Sequence, residues 1–399
     1  MNFFSDDLRR DSFPAYDQVR SASPVLPVPD LDLWMIFDYD GVKQAMTDYE
    51  AFISSPSKAN SPDPRWLVFF DPPRHTKLRA LIMRAFTPRI VANLEPRIQQ
   101  FSHELIDRAL GDSEMDIIAD FAEPLPIMVI AGMLGIPGAE WRRFRRWSDV
   151  IVTSSSLAIP GGAQWAATAG DMALVTAEIK DSLREWIAER RATPKDDLLT
   201  ALVQAEVDGE RLSDEELLGF LQLLLIAGTE TTTNLIGNAI LCFTEHPTQL
   251  TRLRQAPELL PLAIEEVLRY RSPVQWMLRF TARDVEIGGH FIPAGKRVLI
   301  MIGSANRDPK HFADPGQFDI ARNPNPHIAF GHGTHFCIGA PLSRLESRVA
   351  LSVFLDRVAS FDLSGPQTWA PCKALHLHGT ASLPVVLQAN MRATRGHVG

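Results

Sequence analysis

The sequence predicts a mainly α-helical fold with a small β-sheet region. Apolar residues recur at intervals of three to four along most of the chain, which is the spacing of helices with one buried face. Strand-like alternation is confined to Val285–Ile302, where a Gly-Gly pair and a Pro-Ala-Gly turn interrupt it, and to a late run at Leu383–Leu387. Helices should therefore build the body of the molecule, with sheet only in its C-terminal part.

Composition indicates one large domain over residues 1–399. The chain has 399 residues, of which 45% are hydrophobic and 22% charged, so it can bury a large core. Length alone would favour two or three domains, but nothing in the sequence supplies a linker. The Pro-dense stretch Ser54–Pro64 is too short to separate domains, and the earlier prolines alternate with apolar residues as in an ordered arm.

Charge and apolar content exclude several classes of protein. A net charge of −8 argues against nucleic acid as a partner. Met1–Asp11 carries acids and arginines without an apolar core, so it predicts neither a secretory signal nor a membrane anchor. The longest apolar run, Leu217–Ala227, is about half the length that spans a bilayer. The sequence therefore predicts a soluble, cytoplasmic protein.

Two helices have clear boundaries in the sequence. The apolar stripe from Ile98 to Ile106 predicts a helix that ends at Gly111. A second helix begins at a capping box formed by Ser213 and Glu216 and stays helix-compatible as far as His246, a span of about 50 Å at 1.5 Å per residue. A helix that long must cross the middle of the domain.

The middle of this central helix contains residues that disfavour a buried helix. The run Ala227–Thr232 places a glycine, an acid and three hydroxyls in succession. Glycine costs about 1 kcal/mol relative to alanine, and a buried carboxylate is costly without a partner. Such violations gather at functional sites. The alternative is that the threonine hydroxyls bond back to carbonyls four residues earlier and only bend the helix.

A cysteine in a glycine-rich turn is the clearest clue to chemistry. Cys337 lies in the run Phe330–Gly339, which leads into a helix-patterned segment with apolar residues at Leu342, Leu345, Val349 and Val353. Such a turn can bring backbone N–H groups close to one sulfur, and the positive end of the following helix favours thiolate over thiol. The arrangement suits a cysteine that binds a metal.

Other interpretations of this cysteine are weaker. A free cysteine is usually a small buried hydrophobe. His332, His335 and Cys337 could form part of a zinc site, but structural zinc needs four ligands, and Cys242 and Cys372 each stand alone. A disulfide scaffold is disfavoured because three cysteines in 399 residues is an odd and sparse count, typical of a reducing cytoplasm.

Two further stretches are ordinary in isolation. Glu266 and Arg269 stand three apart on one helical face, which by itself is a surface pair worth a few tenths of a kcal/mol. A helix begins after Pro72-Pro73 and places His75 and Arg79 one turn apart on the same side. A lone basic pair of this kind is usually a solvated face.

Taken together, and in the order in which they occur along the chain, the four motifs resemble the cytochrome P-450 superfamily. Among its members they are most similar to the soluble bacterial haem-thiolate monooxygenases. The resemblance covers the chain from about Asp71 to the C-terminus. It implies a P-450-like fold with the long central helix over the haem, and haem b as the cofactor. The residues that match the haem-ligand signature are Phe330, Gly331, Gly333, His335, Cys337 and Gly339.

The resemblance also implies roles for individual residues. Cys337 would ligate the iron, the small residue Gly228 would let the helix pass over the haem, and Glu230 with Thr231 would feed protons to dioxygen. The haem propionates would be held by His75, Arg79, Arg279 and His335, and Glu266 with Arg269 would pair with Arg322 to lock the segment before the cysteine loop. Thr229 stands where many bacterial relatives have histidine.

The implied activity is insertion of one oxygen atom from O2 into an apolar small molecule. Electrons would come from NAD(P)H through a separate ferredoxin reductase and ferredoxin, which would dock on Arg344, Arg348, Lys77 and Arg84 of a monomeric enzyme. A peroxygenase or isomerase would keep Cys337 but would not need Glu230 and Thr231. A non-enzymatic haem-binding sensor would need neither reductant nor substrate path.

The substrate remains open within a class. By resemblance, four segments would face it, and they are largely apolar and aromatic: Trp66–Phe70, Ser154–Trp165, Leu223–Ile226 and Gln275–Leu278. Such a pocket suits a terpenoid, steroid, fatty acid or macrocycle, with one polar contact from Gln275. The alternative is that these side chains are simply core.

Overall fold

Helices form most of the molecule, as predicted. The computed structural model describes residues 5–55, 66–111, 113–136, 140, 143–147, 150, 165–364 and 369–390, without the side chains of 165–172. Its α-helices are, in chain order, α1 Asp6–Arg10, α2 Phe13–Ala22, α3 Tyr39–Thr47, α4 Arg74–Ala85, α5 Pro88–Ala92, α6 Glu95–Leu110, α7 Pro124–Met133, α8 Trp165–Ala192, α9 Leu198–Gln204, α10 Asp214–Ala227, α11 Glu230–Glu245, α12 Pro247–Gln255, α13 Leu260–Tyr270, α14 Ile302–Ala305 and α15 Ala340–Arg357.

The strands form small sheets at the margins of the helical body. They are β1 Val25–Val28, β2 Leu33–Ile36, β3 Phe52–Ile53, β4 Glu114–Asp116, β5 Glu206–Val207, β6 Glu210–Arg211, β7 Met277–Thr281, β8 Val285–Ile287, β9 His290–Ile292, β10 Arg297–Ile300, β11 Val358–Leu363 and β12 Pro384–Ala389. The largest sheet has five strands in the order β1-β2-β10-β7-β3, and a three-stranded sheet has the order β11-β12-β4.

Sheet is not confined to the C-terminal part, so that prediction was wrong. The predicted strands at Val285–Ile302 and Leu383–Leu387 are confirmed, but β1 and β2 of the N-terminal arm pair with each other, and β2 runs parallel to β10. The arm was hard to recognise because these strands have only four residues each and β1 contains Pro27. Proline is tolerated there because β1 is an edge strand.

The central helix is interrupted, which corrects the prediction of one continuous helix to His246. The capping box of Ser213 and Glu216 begins α10 as predicted, but the regular hydrogen-bond ladder stops at Ala227 and resumes at Glu230. Both linking residues keep right-handed helical dihedral angles, with φ −80° and ψ −23° at Gly228 and φ −89° and ψ −65° at Thr229. The chain direction therefore continues across the break, where Gly228 N–H still donates to the Leu224 carbonyl at 3.1 Å.

The main core packs around α11. Ile236, Ala239 and Ile240 are fully buried at 0% exposure, and a π-helix, Ile117–Ala122, packs against this helix. Thr233 on α11 donates a hydrogen bond to the Ala122 carbonyl at 3.1 Å. The predicted helix through Ile98 and Ile106 is confirmed as α6, which ends at Gly111. Throughout the part of the chain that the structure describes, we find no helix with the length and apolarity to cross a membrane.

Candidate active site

The loop that carries Cys337 is shaped by two glycines with left-handed backbone. Gly331 has φ +76° and Gly333 has φ +69°, a region that residues with a Cβ rarely adopt. A Cβ on Gly333 would also lie 3.2 Å from the Met46 carbonyl oxygen. The Cys337 N–H donates to the Phe330 carbonyl at 2.9 Å and closes the loop, so the sequence dictates where the sulfur lies relative to α15.

The sulfur of Cys337 faces an internal space. The residue is exposed, yet burial raises the pKa of its thiol, so the side chain is accessible while protein surrounds it. Backbone N–H groups of Gly339 and Ala340 hydrogen-bond the sulfur and oppose that rise in pKa. These N–H groups favour the thiolate, as the glycine-rich turn predicts, but burial outweighs them. A metal ion bound to the sulfur would supply the remaining stabilisation, because thiolate ligation releases the proton.

Four basic side chains predicted to act together lie close to one another. The rings of His75 and His335 have centroids 4.1 Å apart. The pKa of His75 is lowered to about 3, first by burial and then by the positive charges of His335 and Arg79, with a further contribution from Arg279. Arg279 is 5% exposed, and burial lowers its pKa as well. We call His75, Arg79, Arg279 and His335 the basic cluster.

The basic cluster adjoins the cysteine, and Asp71 is the acidic residue that contacts it within the described part of the chain. The Cys337 charge raises the pKa of Arg79, although burial lowers it more. His335 Nε2 lies 3.2 Å from Ser54 Oγ and 3.8 Å from Asp71 Oδ1. Sequence reasoning missed Ser54 and the role of Asp71. Nothing in the Pro-dense stretch around Ser54 indicates a contact with His335. Asp71 precedes a predicted helix, and its position there indicates only the start of that helix.

The predicted acid and alcohol follow directly after the break in the central helix. Thr231 donates its hydroxyl to the Ala227 carbonyl at 2.7 Å, and Thr229 donates to Leu225 at 2.8 Å. These are the bonds from threonine hydroxyls to carbonyls four residues earlier that the alternative interpretation of this run predicts. Ala227 is exposed although it lies in the middle of the molecule, so it faces an internal space. Glu230 is partly exposed at the same point of the chain.

A neighbouring helix leaves no room for a side chain at Gly228. A Cβ at this position would lie 2.5 Å from Ile130 Cδ1 on α7 and 2.8 Å from the Leu224 carbonyl oxygen. The glycine therefore permits close contact with α7, and the small residue that faces the internal space is Ala227. Ala227 belongs to the predicted run Ala227–Thr232, but the sequence does not show which of its small residues faces the space.

The predicted pairing of Glu266, Arg269 and Arg322 is confirmed. Arg269 donates two hydrogen bonds of 2.8 Å to the Glu266 carboxylate, and both side chains have 0% exposure. Arg322 Nε adds a third bond to Glu266 at 3.1 Å. Arg269 also donates to the carbonyls of Asn306 and Gln317, so this network ties α13 to the segment that leads to the cysteine loop.

The segments predicted to face a substrate are partly described. Trp66 stacks on Phe69 with ring centroids 5.7 Å apart. Gln275 is buried at 4% exposure, donates its amide N–H to Ser272 at 2.7 Å, and its Oε1 has no hydrogen-bond partner among the described residues. The predicted stretch Ser154–Trp165 has its side chains outside the described residues.

Most of the basic residues expected to contact a redox partner are already in ion pairs. Arg344 donates two bonds to the Glu265 carboxylate at 2.6 and 2.8 Å. Arg348 pairs with Glu95 at 2.9 Å, and Lys77 pairs with Glu210 at 2.7 Å. Arg84 is exposed and has no ion pair within the described ranges.

Comparison with known proteins agrees with this geometry. The family model described as Cytochrome P450 matches residues 30–385. Cytochrome P450 109 of Bacillus spizizenii is 43% identical over 359 residues, which cover 88% of this chain and 85% of that protein. The 6-deoxyerythronolide B hydroxylase of Saccharopolyspora erythraea is 37% identical over 408 residues, covering 96% of this chain and 98% of that protein.

Solved structures show the same fold. CYP109E1 from Bacillus megaterium, in a crystal structure with testosterone, is similar to this chain with a TM-score of 0.86 and 38% sequence identity. The similarity covers 94% of this chain and 99% of that chain. Family model, relatives and structure agree over nearly the whole length. The chain therefore belongs to the cytochrome P450 family of haem b monooxygenases.

Proposed function

We propose that Cys337 is the residue that ligates the haem iron in this monooxygenase. The observation that carries the proposal is the sulfur itself, which is accessible from an internal space and accepts hydrogen bonds from backbone N–H groups of Gly339 and Ala340. A thiolate-bound haem supplies the electron-rich iron that favours cleavage of the O–O bond. The other two cysteines lack this setting, because Cys242 is fully buried and the pKa of Cys372 is raised to about 12 by burial.

The basic cluster fits the two propionate groups of haem b. Arg279 is a buried cation with no carboxylate ion pair among the described residues, and a buried charge is costly unless it is paired. His75 Nδ1 is a buried polar atom with no hydrogen-bond partner in the described ranges. Charge-assisted bonds to two carboxylates would satisfy both groups, at about 1.5–3 kcal/mol each. We assign His75, Arg79, Arg279 and His335 to this task, and Phe330 to the packing of the cysteine loop.

Proton delivery is assigned to Glu230 and Thr231. Both residues follow the break in the central helix, next to Ala227, which faces the internal space. The Thr231 hydroxyl donates a hydrogen bond to the Ala227 carbonyl at 2.7 Å. This bond orients the hydroxyl, and its oxygen can still accept a hydrogen bond. A carboxylic acid one residue away can replace the proton that such a hydroxyl passes on.

The substrate is proposed to be an apolar small molecule of the terpenoid, steroid, fatty acid or macrocycle class. The stacked rings of Trp66 and Phe69 supply apolar surface, and the unpartnered Oε1 of Gln275 offers one hydrogen-bond acceptor. Two relatives support this class, since one is a 6-deoxyerythronolide B hydroxylase and another was crystallised with testosterone.

Electrons are proposed to reach the haem from NAD(P)H through a separate reductase and ferredoxin in the cytoplasm. All three cysteines are free, which suits a reducing compartment. The exposed Arg84 is the candidate contact for an acidic ferredoxin, while Arg344, Arg348 and Lys77 contribute through ion pairs that a partner must share or replace.

Reconstituted turnover tests this function. The haem-loaded protein is combined with ferredoxin, ferredoxin reductase and NADPH under ¹⁸O2, and is given a panel of one steroid, one fatty acid, one terpenoid and one macrolide. We expect product that carries one ¹⁸O atom and that requires all protein components. Product formed only when hydrogen peroxide replaces these components would identify a peroxygenase. A lack of product and of NADPH consumption across the panel would favour a haem-binding sensor.

A further inference from the structure

The N-terminal helix is tied to a segment near the other end of the chain. Arg9 on α1 is 9% exposed, and its guanidinium donates hydrogen bonds to the carbonyls of Cys372 and Ala374, the second at 2.9 Å. Arg10 Nε donates to the Trp369 carbonyl at 2.9 Å. Three backbone carbonyls of one short segment are therefore held by side chains of one helical turn.

The same segment contacts the interior beside the central helix. Ala374 and Leu377 form a small buried cluster with the partly buried Ile226 and Val274. The backbone is fastened on this side as well, because Gln275 donates its N–H to the His376 carbonyl at 2.8 Å. Residues 372–377 thus lie between the N-terminal helix and the strand of chain that precedes β7. We call residues 372–377 the wall segment.

The wall segment adjoins the residues assigned to the substrate space. Ile226 directly precedes Ala227, which faces the internal space. Gln275, with its unpartnered Oε1, is bonded to the wall segment through its backbone. The pKa of Cys372 is raised to about 12 by burial, and the negative charge of Glu230 adds to this shift, which places the acid near the same segment.

Arg9 binds a part of the wall segment that the backbone hydrogen bonds do not hold. The segment forms no helix, and its backbone bonds run from Cys372 N–H to Gly379, from Gln275 N–H to His376 and from Leu377 N–H to Ala374. None of these bonds uses the Cys372 carbonyl, which accepts from Arg9. Arg9 Nη1 also pairs with Asp6 at 3.2 Å, but movement of the segment would leave the buried Nη2 without its two carbonyl acceptors.

We propose that Arg9 is a positioning residue for substrate selectivity. It acts through the wall segment and does not touch the substrate. By holding the carbonyls of Cys372 and Ala374, it sets how far Ala374 and Leu377 reach towards Ile226, and so limits the width of the substrate space on that side. The inference rests on the proposed function, because it takes the space beside Ala227 to be the substrate space.

Ligands of two sizes test the proposal in the haem-loaded protein. Imidazole and 4-phenylimidazole both bind haem iron, but only the larger ligand reaches the walls, so the ratio of their dissociation constants reports wall position. Arg9→Met keeps the aliphatic stem and removes the donors. We expect this variant to change the ratio on the order of fivefold, with imidazole affinity unchanged, and to speed hydrogen exchange in residues 369–378.

The matched control is Arg10→Met, which removes one bond to the Trp369 carbonyl, outside the wall segment, and an ion pair with the exposed Asp7 from a side chain that is 35% exposed. It should leave the ratio of dissociation constants unchanged. Arg9→Lys restores one charged donor and should recover part of the effect. An unchanged ratio and unchanged exchange in Arg9→Met would overturn the proposal. If the wild-type Soret band does not shift with either ligand, the proposed haem site is wrong instead, while hydrogen exchange still reports on Arg9.

Discussion

The Thr231 hydroxyl is oriented by the hydrogen bond that it donates, and its oxygen can accept another hydrogen bond. Its bond to the Ala227 carbonyl at 2.7 Å is a common feature of threonine in helices and by itself indicates no function. Position distinguishes it from other threonines of α11. Thr244 makes the same kind of bond, to Leu241 at 2.8 Å, but lies far along the helix from the break. The two residues therefore form a natural comparison.

Replacing Thr231 by alanine should uncouple electron use from product formation. The variant lacks the hydroxyl that passes protons to oxygen. We therefore expect several-fold more hydrogen peroxide per NADPH consumed and less product, with haem content unchanged. Thr244→Ala should behave like the wild type. Product and peroxide are measured together in the reconstituted system. Equal coupling in Thr231→Ala and the wild type would place the proton path elsewhere.

Glu346 on α15 is a buried acid that the proposed chemistry does not use. Burial raises the pKa of this carboxyl to about 8, and its Oε2 has no partner among the described residues. The folded protein therefore keeps the acid neutral, whereas the unfolded chain ionises it near its ordinary pKa of about 4.3. Its contribution to stability is fully present below that pH and is lost as pH rises towards 8.

Substitution of Glu346 by glutamine should remove this pH dependence. The amide has the same shape and cannot ionise, so Tm of the variant should rise relative to the wild type as pH increases from about 5 to 8. The slope lost is at most about 1.4 kcal/mol per pH unit. Thermal unfolding is followed at several pH values in one buffer series. A Tm difference that is the same at pH 5 and pH 8 would contradict this account.

Residue types in the site could be predicted, but their partners could not. Cys337 stood out because a glycine-rich turn before a helix is a local pattern, and His75 and Arg79 are one turn apart on a helix. Ser54 and Asp71 contact His335 through tertiary packing alone, so no spacing in the sequence marks them. The motif Ala227–Thr232 could be recognised from the sequence, but only the folded structure shows that Ala227 is its small residue exposed to the internal space.

At the scale of elements, the break in the central helix has a local cause. Thr229 donates its hydroxyl to the Leu225 carbonyl, and Gly228 lacks a side chain to support the turn. Each feature weakens a helix slightly, and together they interrupt it. The sequence indicates both weaknesses, but whether they bend or break a helix depends on the contact with Ile130 of α7, which only the folded structure reveals.

The network around Glu266 should be far more important to stability than the neighbouring pair. Glu266 has 0% exposure and accepts bonds from Arg269 and Arg322, so Glu266→Gln leaves buried cations without their counter-charge. We expect a loss of about 3–5 kcal/mol and poor haem retention. Glu265 is 26% exposed and binds both Arg344 and the His327 ring. Burial raises the pKa of its carboxyl, but these two partners outweigh burial and lower that pKa to about 2. Glu265→Gln should therefore cost about 1–2 kcal/mol, less than Glu266→Gln. Chemical denaturation with haem absorbance compares the variants.

Comparing these adjacent substitutions isolates the effect of burial, because Glu266 is fully buried and Glu265 is partly exposed. Similar losses in both variants would show that the buried network is not what locks α13 to the segment before the cysteine loop. A larger loss in Glu265→Gln would indicate that the Arg344 contact near the cysteine is the more important one.

On the scale of the whole molecule, the five-stranded sheet joins distant parts of the chain. β2 near the N-terminus pairs with β10, and β3 pairs with β7, so the N-terminal strands cannot leave the structure without breaking the sheet. In the three-stranded sheet, β12 near the C-terminus pairs with β4. We therefore propose that residues 1–399 form one domain. The sequence indicated this only through the lack of a linker, because pairings between strands of two to five residues have no local signature.

A single domain predicts a single unfolding transition. Calorimetry of the haem-loaded protein should show one heat-absorption peak, and loss of haem absorbance should coincide with loss of helical circular dichroism. Two well-separated peaks, or helix loss that precedes haem release by many degrees, would show that the N-terminal strands belong to an independent unit.

The carbon monoxide spectrum of the reduced protein tests the central claim most directly. A thiolate ligand shifts the Soret band of the ferrous carbon monoxide complex to the red, so we predict that band in the wild type, in Cys242→Ser and in Cys372→Ser. Cys337→His should replace it with the unshifted band of a nitrogen ligand while haem remains bound. Retention of the red-shifted band in Cys337→His, or its loss in either serine variant, would contradict the assignment of Cys337 as the iron ligand.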